Sequence, residues 1–319
     1  MSSRNRSGSS EPGLMRGSAG AWKLPAPLLS DSLDMPLHHF NALIHSVLLA
    51  ALAAWLLLTS GWAEEARLLP WLLFAYALLG LLERLQPHRE EWTPRTVELK
   101  RDAQALGLNL LTDTAVGAVL TLALTSLARP ALDLPLGIQL LIALPLAEFG
   151  PYWLHRLSHR GGWLWRAHVL HHRPDKLNAA NALTSHPLNA AWDTLARMAP
   201  LLLLGFSAEV MLAISAFALT QGLWVHANVA TPPRSCLSLL IGTPELHRLH
   251  HSSAPEQAGN YGTALPLWDH VFRTYRRGDV QAVGVYEPAA YPEATDLRAL
   301  LSLPFRRRTQ LDPRASDRD

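Results

Sequence analysis

Apolar residues in this 319-residue chain gather into long, nearly continuous runs separated by short polar connections. Four runs approach the roughly 20 residues that a bilayer crossing needs. They are ALIHSVLLAALAAWLLLT (Ala42 to Thr59), LLPWLLFAYALLGLLERL (Leu68 to Leu85), LGLNLLTDTAVGAVLTLALTSL (Leu106 to Leu127) and LGIQLLIALPLAEFGPYWL (Leu136 to Leu154). Buried helices of a large soluble protein rarely follow one another so closely, so the runs predict membrane spans. A fifth run, PLLLLGFSAEVMLAISAFALTQGLWV (Pro200 to Val225), reads as a re-entrant helical hairpin broken near Gly205, with Ser207 capping its second arm. Parity is the reason. Histidine-rich segments lie on both sides of this run, and they meet only if the chain returns to the side it left. The predicted fold is all-α: a multi-pass membrane helical bundle of about four spans plus a re-entrant hairpin, with a histidine-rich metal-binding cap.

Basic residues set the orientation. The connections after the first and third runs hold only Arg67 and only Arg129. The connection after the second holds Arg89, Arg95, Lys100 and Arg101, and the segment after the fourth holds Arg156, Arg160, Arg166, Arg173 and Lys176. This alternation places both termini and the histidines on the cytoplasmic face, which in a bacterium is that of the inner membrane. Residues 1–35 are rich in Ser, Gly, Pro and Arg and lack the apolar core of a signal peptide; they read as a disordered tail.

Composition narrows the function. Charged residues make up 17% of the chain and the net charge is +2, with the arginines dispersed, which argues against a nucleic-acid partner. The single cysteine, Cys236, rules out a disulfide framework or a thiolate metal site within one chain. Any metal must then be held by nitrogen or oxygen.

Three motifs supply nitrogen. HRLSH carries His155 and His159, HVLHH carries His168, His171 and His172, and HRLHH carries His247, His250 and His251. Residues three or four apart share a helix face, so each motif is expected to present its imidazoles toward one point. A lone histidine is usually a hydrogen-bonded structural residue. Three multi-histidine motifs beside membrane spans are not, because unpaired imidazoles there are costly. Eight histidines exceed what one ion takes, which predicts two metals. Ligand type leaves Fe, Zn, Cu and Ni open. The motifs sit at or beyond span ends on one side, which favours an enzyme site over a transport pathway.

The order HRLSH, HVLHH, HRLHH, followed by NYG and LWDHVFRTY, resembles the fatty acid hydroxylase superfamily, the group that includes sterol desaturases and sterol methyl oxidases. The likeness covers Leu106 to Tyr275. It implies a non-haem di-iron site that uses O2 and two electrons to hydroxylate or desaturate a sterol-like or fatty-acyl lipid in the membrane. It also implies His155, His159, His168, His171, His172, His247, His250 and His251 as ligands, with His226 of WVHAN as a ninth. Gly222 stands where some members have a tenth. The electron donor is expected to be a separate ferredoxin, cytochrome or reductase. On this reading residues 36–105 are N-terminal helices with a cytoplasmic loop, 106–275 the catalytic domain and 276–319 a polar C-terminal tail. The reading from another class is a zinc-dependent membrane hydrolase or a metal-handling protein.

Other positions carry expectations of their own. His186 is read as structural or as a support for a ligand, and Glu148 as a partner for a ligand imidazole or a helix-end acid. Asp113, inside a span, is expected to be paired. Asp269 and Asn260 are either supports or turn formers. Arg273 stands where the family commonly has glycine, so the turn there is expected to differ. Trp153, Trp163 and Trp165 are read as interfacial anchors. His38, His39, His45, His88 and His270 are read as non-ligands. Gly161-Gly162 should turn the chain between the first two histidine boxes.

Overall fold

The computed structural model describes residues 31–125, 132–231 and 236–306. The first thirty residues of the expected N-terminal tail, Arg129 and the basic run beyond Arg306 lie outside the described residues. Ten α-helices form the described chain: α1 (Asp31–Leu58), α2 (Glu64–Leu85), α3 (Thr96–Thr125), α4 (Leu136–Ser158), α5 (Gly162–His172), α6 (Pro187–Leu203), α7 (Ala208–His226), α8 (Pro244–His250), α9 (Leu267–Val271) and α10 (Leu297–Ser302). No β-strand occurs among the described residues; two isolated bridges, Pro87 with Val229 and Ser252 with Val283, pin loops together. Helix is assigned from Asp31 onward.

Among the described residues, three helices are long and apolar enough to cross a membrane: Ala66–Leu85 of α2, Thr96–Leu122 of α3 and Ala208–His226 of α7. Two of the expected spans correspond to α2 and α3. The apolar part of α1 is shorter, Leu43–Leu58. The 23-residue α4 carries Glu148 and Arg156 along its length, and at about 1.5 Å per residue it is still roughly 34 Å long.

The break and the cap within the fifth run form where expected, but the helices on either side differ in extent from the expected arms. Gly205 takes φ +79°, a left-handed conformation suited to glycine, and the Ser207 hydroxyl accepts the Val210 N–H to cap α7. The first arm starts at Pro187 rather than Pro200, and the second is of spanning length. The stretch LNAAWDTLARMA breaks apolar continuity, which hid the first half of α6. Its polar groups find partners on neighbouring helices: Thr194 donates to Asp113 on α3 at 2.6 Å, and Arg197 pairs with Glu148 on α4. Asp113 is thus paired as expected, whereas Glu148 serves a helix–helix ion pair rather than an imidazole.

These partners place α6 between α3 and α4, while α7 packs on α1, α2 and α4. Ala143, Ala147, Leu201, Phe206, Val210 and Ile214 fill the α4–α6–α7 junction. Gly150 sets the closest α4–α6 approach, since a Cβ there would lie 2.7 Å from the Ala196 carbonyl oxygen. Gly150→Ala should therefore destabilise the protein by about 1–3 kcal/mol, read as a lower thermal midpoint in detergent.

At the far end of the bundle Arg67 joins three helices. It pairs with Glu209 at 3.0 Å and donates to the Thr59 hydroxyl and the Leu56 carbonyl. Residues 276–306 pack over α5: Val285, Tyr291, Leu300 and Leu303 bury themselves against Trp165, Val169 and Leu170. The ends of α4 and α7, all of α5 and α8, and the loops between them meet under this cover.

Candidate metal centre

The nine predicted histidines are brought together from four elements. His155 and His159 end α4, His168, His171 and His172 lie on α5, His226 ends α7, and His247, His250 and His251 lie on or just after α8. The turn from α4 to α5 uses Gly161 at φ +87° and Gly162 at φ +75°, as the Gly-Gly pair predicted.

The imidazoles divide into two groups. His155, His159, His168, His172 and His250 form one, and His171, His226, His247 and His251 the other. Within each group one nitrogen per residue lies within 4.8 Å of all the others. Nitrogens on opposite sides of one first-row metal would be about 4.2 Å apart, so each group needs little contraction to hold an ion. The groups adjoin: His172 stacks on His251 with ring centroids 4.1 Å apart, and His171 lies 5.4 Å from His172.

This partition corrects the expectation that each motif converges on one point. Successive helical residues are about 100° apart, so positions i and i+4 nearly align while i+3 lies on the other flank. His168 and His172 therefore join the five-membered group while His171 crosses to the other. In HRLHH the pair His247 and His251 joins the four-membered group and His250 crosses the opposite way.

Hydrogen bonds fix the rings. Nδ1 of His155 lies 2.7 Å from the Tyr261 carbonyl oxygen, Nδ1 of His171 3.2 Å from that of Thr184, and Nδ1 of His250 2.8 Å from that of Gly259. A carbonyl only accepts, so each Nδ1 carries the proton and each neutral ring keeps its Nε2 lone pair. His168 and His226 do the same toward the side-chain oxygens of Asn189 (2.8 Å) and Asn181 (3.1 Å). Among the described residues the Nε2 atoms of His155, His168 and His226 have no hydrogen-bond partner. Buried lone pairs without a donor are expensive, and two more pairs of Nε2 atoms face one another, His250 with His172 at 3.2 Å and His251 with His247 at 3.1 Å. Two cations would satisfy them, so this donor set fits a pair of imidazole-bound metals. Ligand histidines of metal proteins are oriented in the same way, by a bond from the other ring nitrogen.

Electrostatics agree. Burial pushes the pKa of His171 down to about 4. Burial, reinforced by repulsion from neighbouring imidazoles, holds His168, His172, His247, His250 and His251 well below the usual histidine range. All six are neutral at pH 7, the form that binds metal.

The remaining histidines take structural roles. His186 caps α6: its Nδ1 accepts the Leu188 N–H, and its Nε2 donates to the Leu301 carbonyl. His45 stacks on Trp224 and bonds Gln221, His88 packs edge-on to Trp92, and His270 bonds the Leu239 carbonyl at the surface. The side chains of His38 and His39 lie outside the described residues. Trp165 is not an interfacial anchor. It is buried, donates to the Tyr291 hydroxyl and walls the site 5.5 Å from His159 and 5.6 Å from His172. Trp163 is exposed, and Trp153 packs on Phe272 under the Arg156 guanidinium.

The trailing motif builds the floor. Asn260 donates to the Leu246 and Arg276 carbonyls, and Asp269 accepts the Tyr261 and Gly262 N–H groups and the Thr274 hydroxyl. Burial raises the Asp269 carboxyl pKa, opposed by those three hydrogen bonds. Arg273 keeps the turn a glycine would make, at φ +57°. That conformation costs a non-glycine residue about 1–2 kcal/mol, part of which glycine returns as unfolded-state entropy. Arg273→Gly should stabilise the protein by about 0.5–1 kcal/mol, read by chemical denaturation.

Residues 140–274 match the family described as fatty acid hydroxylase. This segment is a fatty acid hydroxylase domain. The chain is 35% identical over 217 residues to the ornithine lipid hydroxylase OlsE of Rhizobium tropici, covering 62% of this chain and 64% of that protein. It is 29% identical over 139 residues to the alkylglycerol monooxygenase of Homo sapiens, covering 43% and 30%. It is 25% identical over 200 residues to a very-long-chain aldehyde decarbonylase of Oryza sativa subsp. indica, covering 60% and 76%. The matched stretch is thus less than two thirds of the bacterial and human relatives. No solved structure matches the chain. All nine clustered histidines fall within the hydroxylase domain.

Proposed function

We propose that the chain is a membrane di-iron oxygenase that hydroxylates or desaturates a lipid, with O2 as co-substrate and electrons from a separate ferredoxin, cytochrome or reductase. The observation that carries this reading is the division of nine clustered imidazoles into adjacent groups of five and four. His155, His159, His168, His172 and His250 would hold one iron; His171, His226, His247 and His251 would hold the other. The metals would supply the activation of O2 against an unactivated C–H bond.

The chain's own part is placement and dryness. Trp165 and Tyr261 close over the five-histidine group, and the segment packed on α5 covers it from outside. An apolar groove of about 450 Å³ runs between α3 and α6, lined by Val116, Val119, Leu120, Leu188, Trp192 and Leu195 among others. Its end at Leu188 adjoins Asn189, the residue that orients His168. A lipid chain lying in this groove would enter from the bilayer and point toward the metals. Relatives named for ornithine lipid and for alkylglycerol support a lipid substrate. The single cysteine leaves no four-cysteine cluster in the chain, which supports an external electron donor.

Arg89, Arg95, Arg156, Arg160, Arg166, Arg173 and Lys176 border the histidine-bearing end, which supports a cytoplasmic site. On the same reading the helices before residue 106 brace the catalytic domain from one side.

Comparative lipidomics of cells with and without the gene tests the activity. A lipid that gains one oxygen, or loses two hydrogens, only when the gene is present is the expected result. Identical lipid profiles under aerobic growth would overturn it.

A further inference from the structure

Among the described residues, two carboxylates stand one amide group behind the five-histidine group, and none stands so behind the other. The His155 Nδ1–H bonds the carbonyl of the Tyr261–Gly262 peptide at 2.7 Å, and the N–H of that same peptide bonds Asp269 Oδ2 at 2.7 Å. The His168 Nδ1–H bonds Asn189 Oδ1 at 2.8 Å, and the other end of that same amide donates to Asp193 Oδ2 at 2.7 Å. A carboxylate only accepts, so Asp193 fixes which end of Asn189 faces the histidine. Both links read carboxylate, amide, imidazole, and both end on the same group.

Local structure is committed to these links. Asp269 is fully buried. A Cβ on Gly262 would lie 2.8 Å from Asp269 Oδ2 and 2.3 Å from the Leu265 carbonyl oxygen, so only glycine lets the carboxylate reach the peptide. Among the described residues neither Asp193 nor Asp269 forms an ion pair; the nearby Arg197 is engaged by Glu148.

The four-histidine group differs. The Asn181 amide behind His226 ends on the neutral Lys176 carbonyl. Behind His171, Asp102 is reached by the hydroxyl of Thr184 rather than through its peptide, and Arg101 neutralises it. His250, in the five-histidine group, has its own relay from Gly259 through the Asn260 N–H to the Thr274 carbonyl.

We propose that Asp193 and Asp269 are positioning residues that act through the Asn189 amide and the Tyr261–Gly262 peptide to strengthen His168 and His155 as donors, making the five-histidine group the tighter of two unequal metal sites. This inference rests on the two-metal reading of the cluster. An amide that donates to a carboxylate has a more negative carbonyl oxygen, which holds an imidazole N–H more strongly and makes the far nitrogen more basic. When ionised, the carboxylates also bring negative charge near a cation that neutral imidazoles leave uncompensated.

The test is cobalt(II) titration of the detergent-purified, chelator-stripped full chain, followed by the cobalt absorption bands. The wild type should bind two ions in two phases of different affinity. In Asp193→Asn the new side-chain oxygen can still accept the amide N–H, so geometry is retained while charge is lost; in Asp269→Asn one acceptor oxygen becomes an NH2, so part of the Tyr261, Gly262 and Thr274 bonding is lost with the charge. Each should weaken the tighter phase by about 10–100-fold and leave the weaker one unchanged. Asp113→Asn, which removes a neighbouring carboxylate outside either relay, should alter neither. Unchanged phases in Asp193→Asn, or equal weakening of both, would overturn the inference even if Asp269→Asn failed to fold. A wild-type chain that binds fewer than two cobalt ions would overturn the two-metal reading and the inference together.

Discussion

Replacing His171 with Ala is expected to remove product formation, lowering turnover by at least about 100-fold, and to reduce bound metal from two ions per chain to about one. Loss of a partner that merely orients a ligand already costs 10–100-fold in affinity or activity, and here the ligand itself goes. His171 is one of only four imidazoles in its group, so three would remain. It lies on α5, outside the span-length helices α2, α3 and α7, so membrane insertion should be unaffected. The informative contrast is His186→Ala. His186 sits near α5, but it caps α6 and bonds the Leu301 carbonyl. That variant should lose about 1 kcal/mol of stability and keep both metals. Metal analysis of the two purified variants checks both statements. Two ions retained in His171→Ala, with normal turnover, would refute its assignment.

Acid should unfold the metal-free chain in a defined window. An imidazole in the unfolded chain takes up its proton near pH 6.5, whereas folded His171 stays neutral down to about pH 4. Between those values the unfolded state binds more protons, so stability falls as pH falls and is fully present above about pH 6.5. His168, His172, His247, His250 and His251 are shifted in the same direction by burial. Each contributes up to about 1.4 kcal/mol per pH unit, so several acting together produce a steep loss. Protons compete with metal for the same lone pairs, so the loaded protein should be protected at neutral pH and release its metal as it crosses the window. Thermal midpoints of stripped and loaded protein at pH 7.5 and pH 5 test this. A metal-free midpoint that does not move between those values contradicts it.

What the sequence disclosed and what it hid follow from the range of the interactions involved. Eight of the nine histidines are legible because each motif is local and helical; His226 lies outside those motifs and is marked only by the family resemblance. The hairpin at Gly205 and the turn at Gly161-Gly162 were legible because backbone conformation there is demanded of glycine. The division into five and four was not, since it depends on how α5 and α8 rotate against α4 and α7. Most atoms that orient the rings were also invisible. The acceptors from Tyr261, Thr184 and Gly259 are backbone carbonyls, which every residue has. Asn181 and Asn189 carry no signature until a histidine faces them. The first half of α6 was missed because its polar residues break the apolar run, yet those residues turn toward α3 and α4. Trp165 was misread because interfacial position and a site wall look alike from composition.

Whether the nine histidines hold two irons decides the proposed function. It is tested most directly by elemental analysis of the full chain purified in mild detergent, combined with O2 uptake in the presence of its lipid and a reductant. Two irons per chain and lipid-dependent O2 consumption are predicted. About two zincs per chain with no O2 consumption would contradict it.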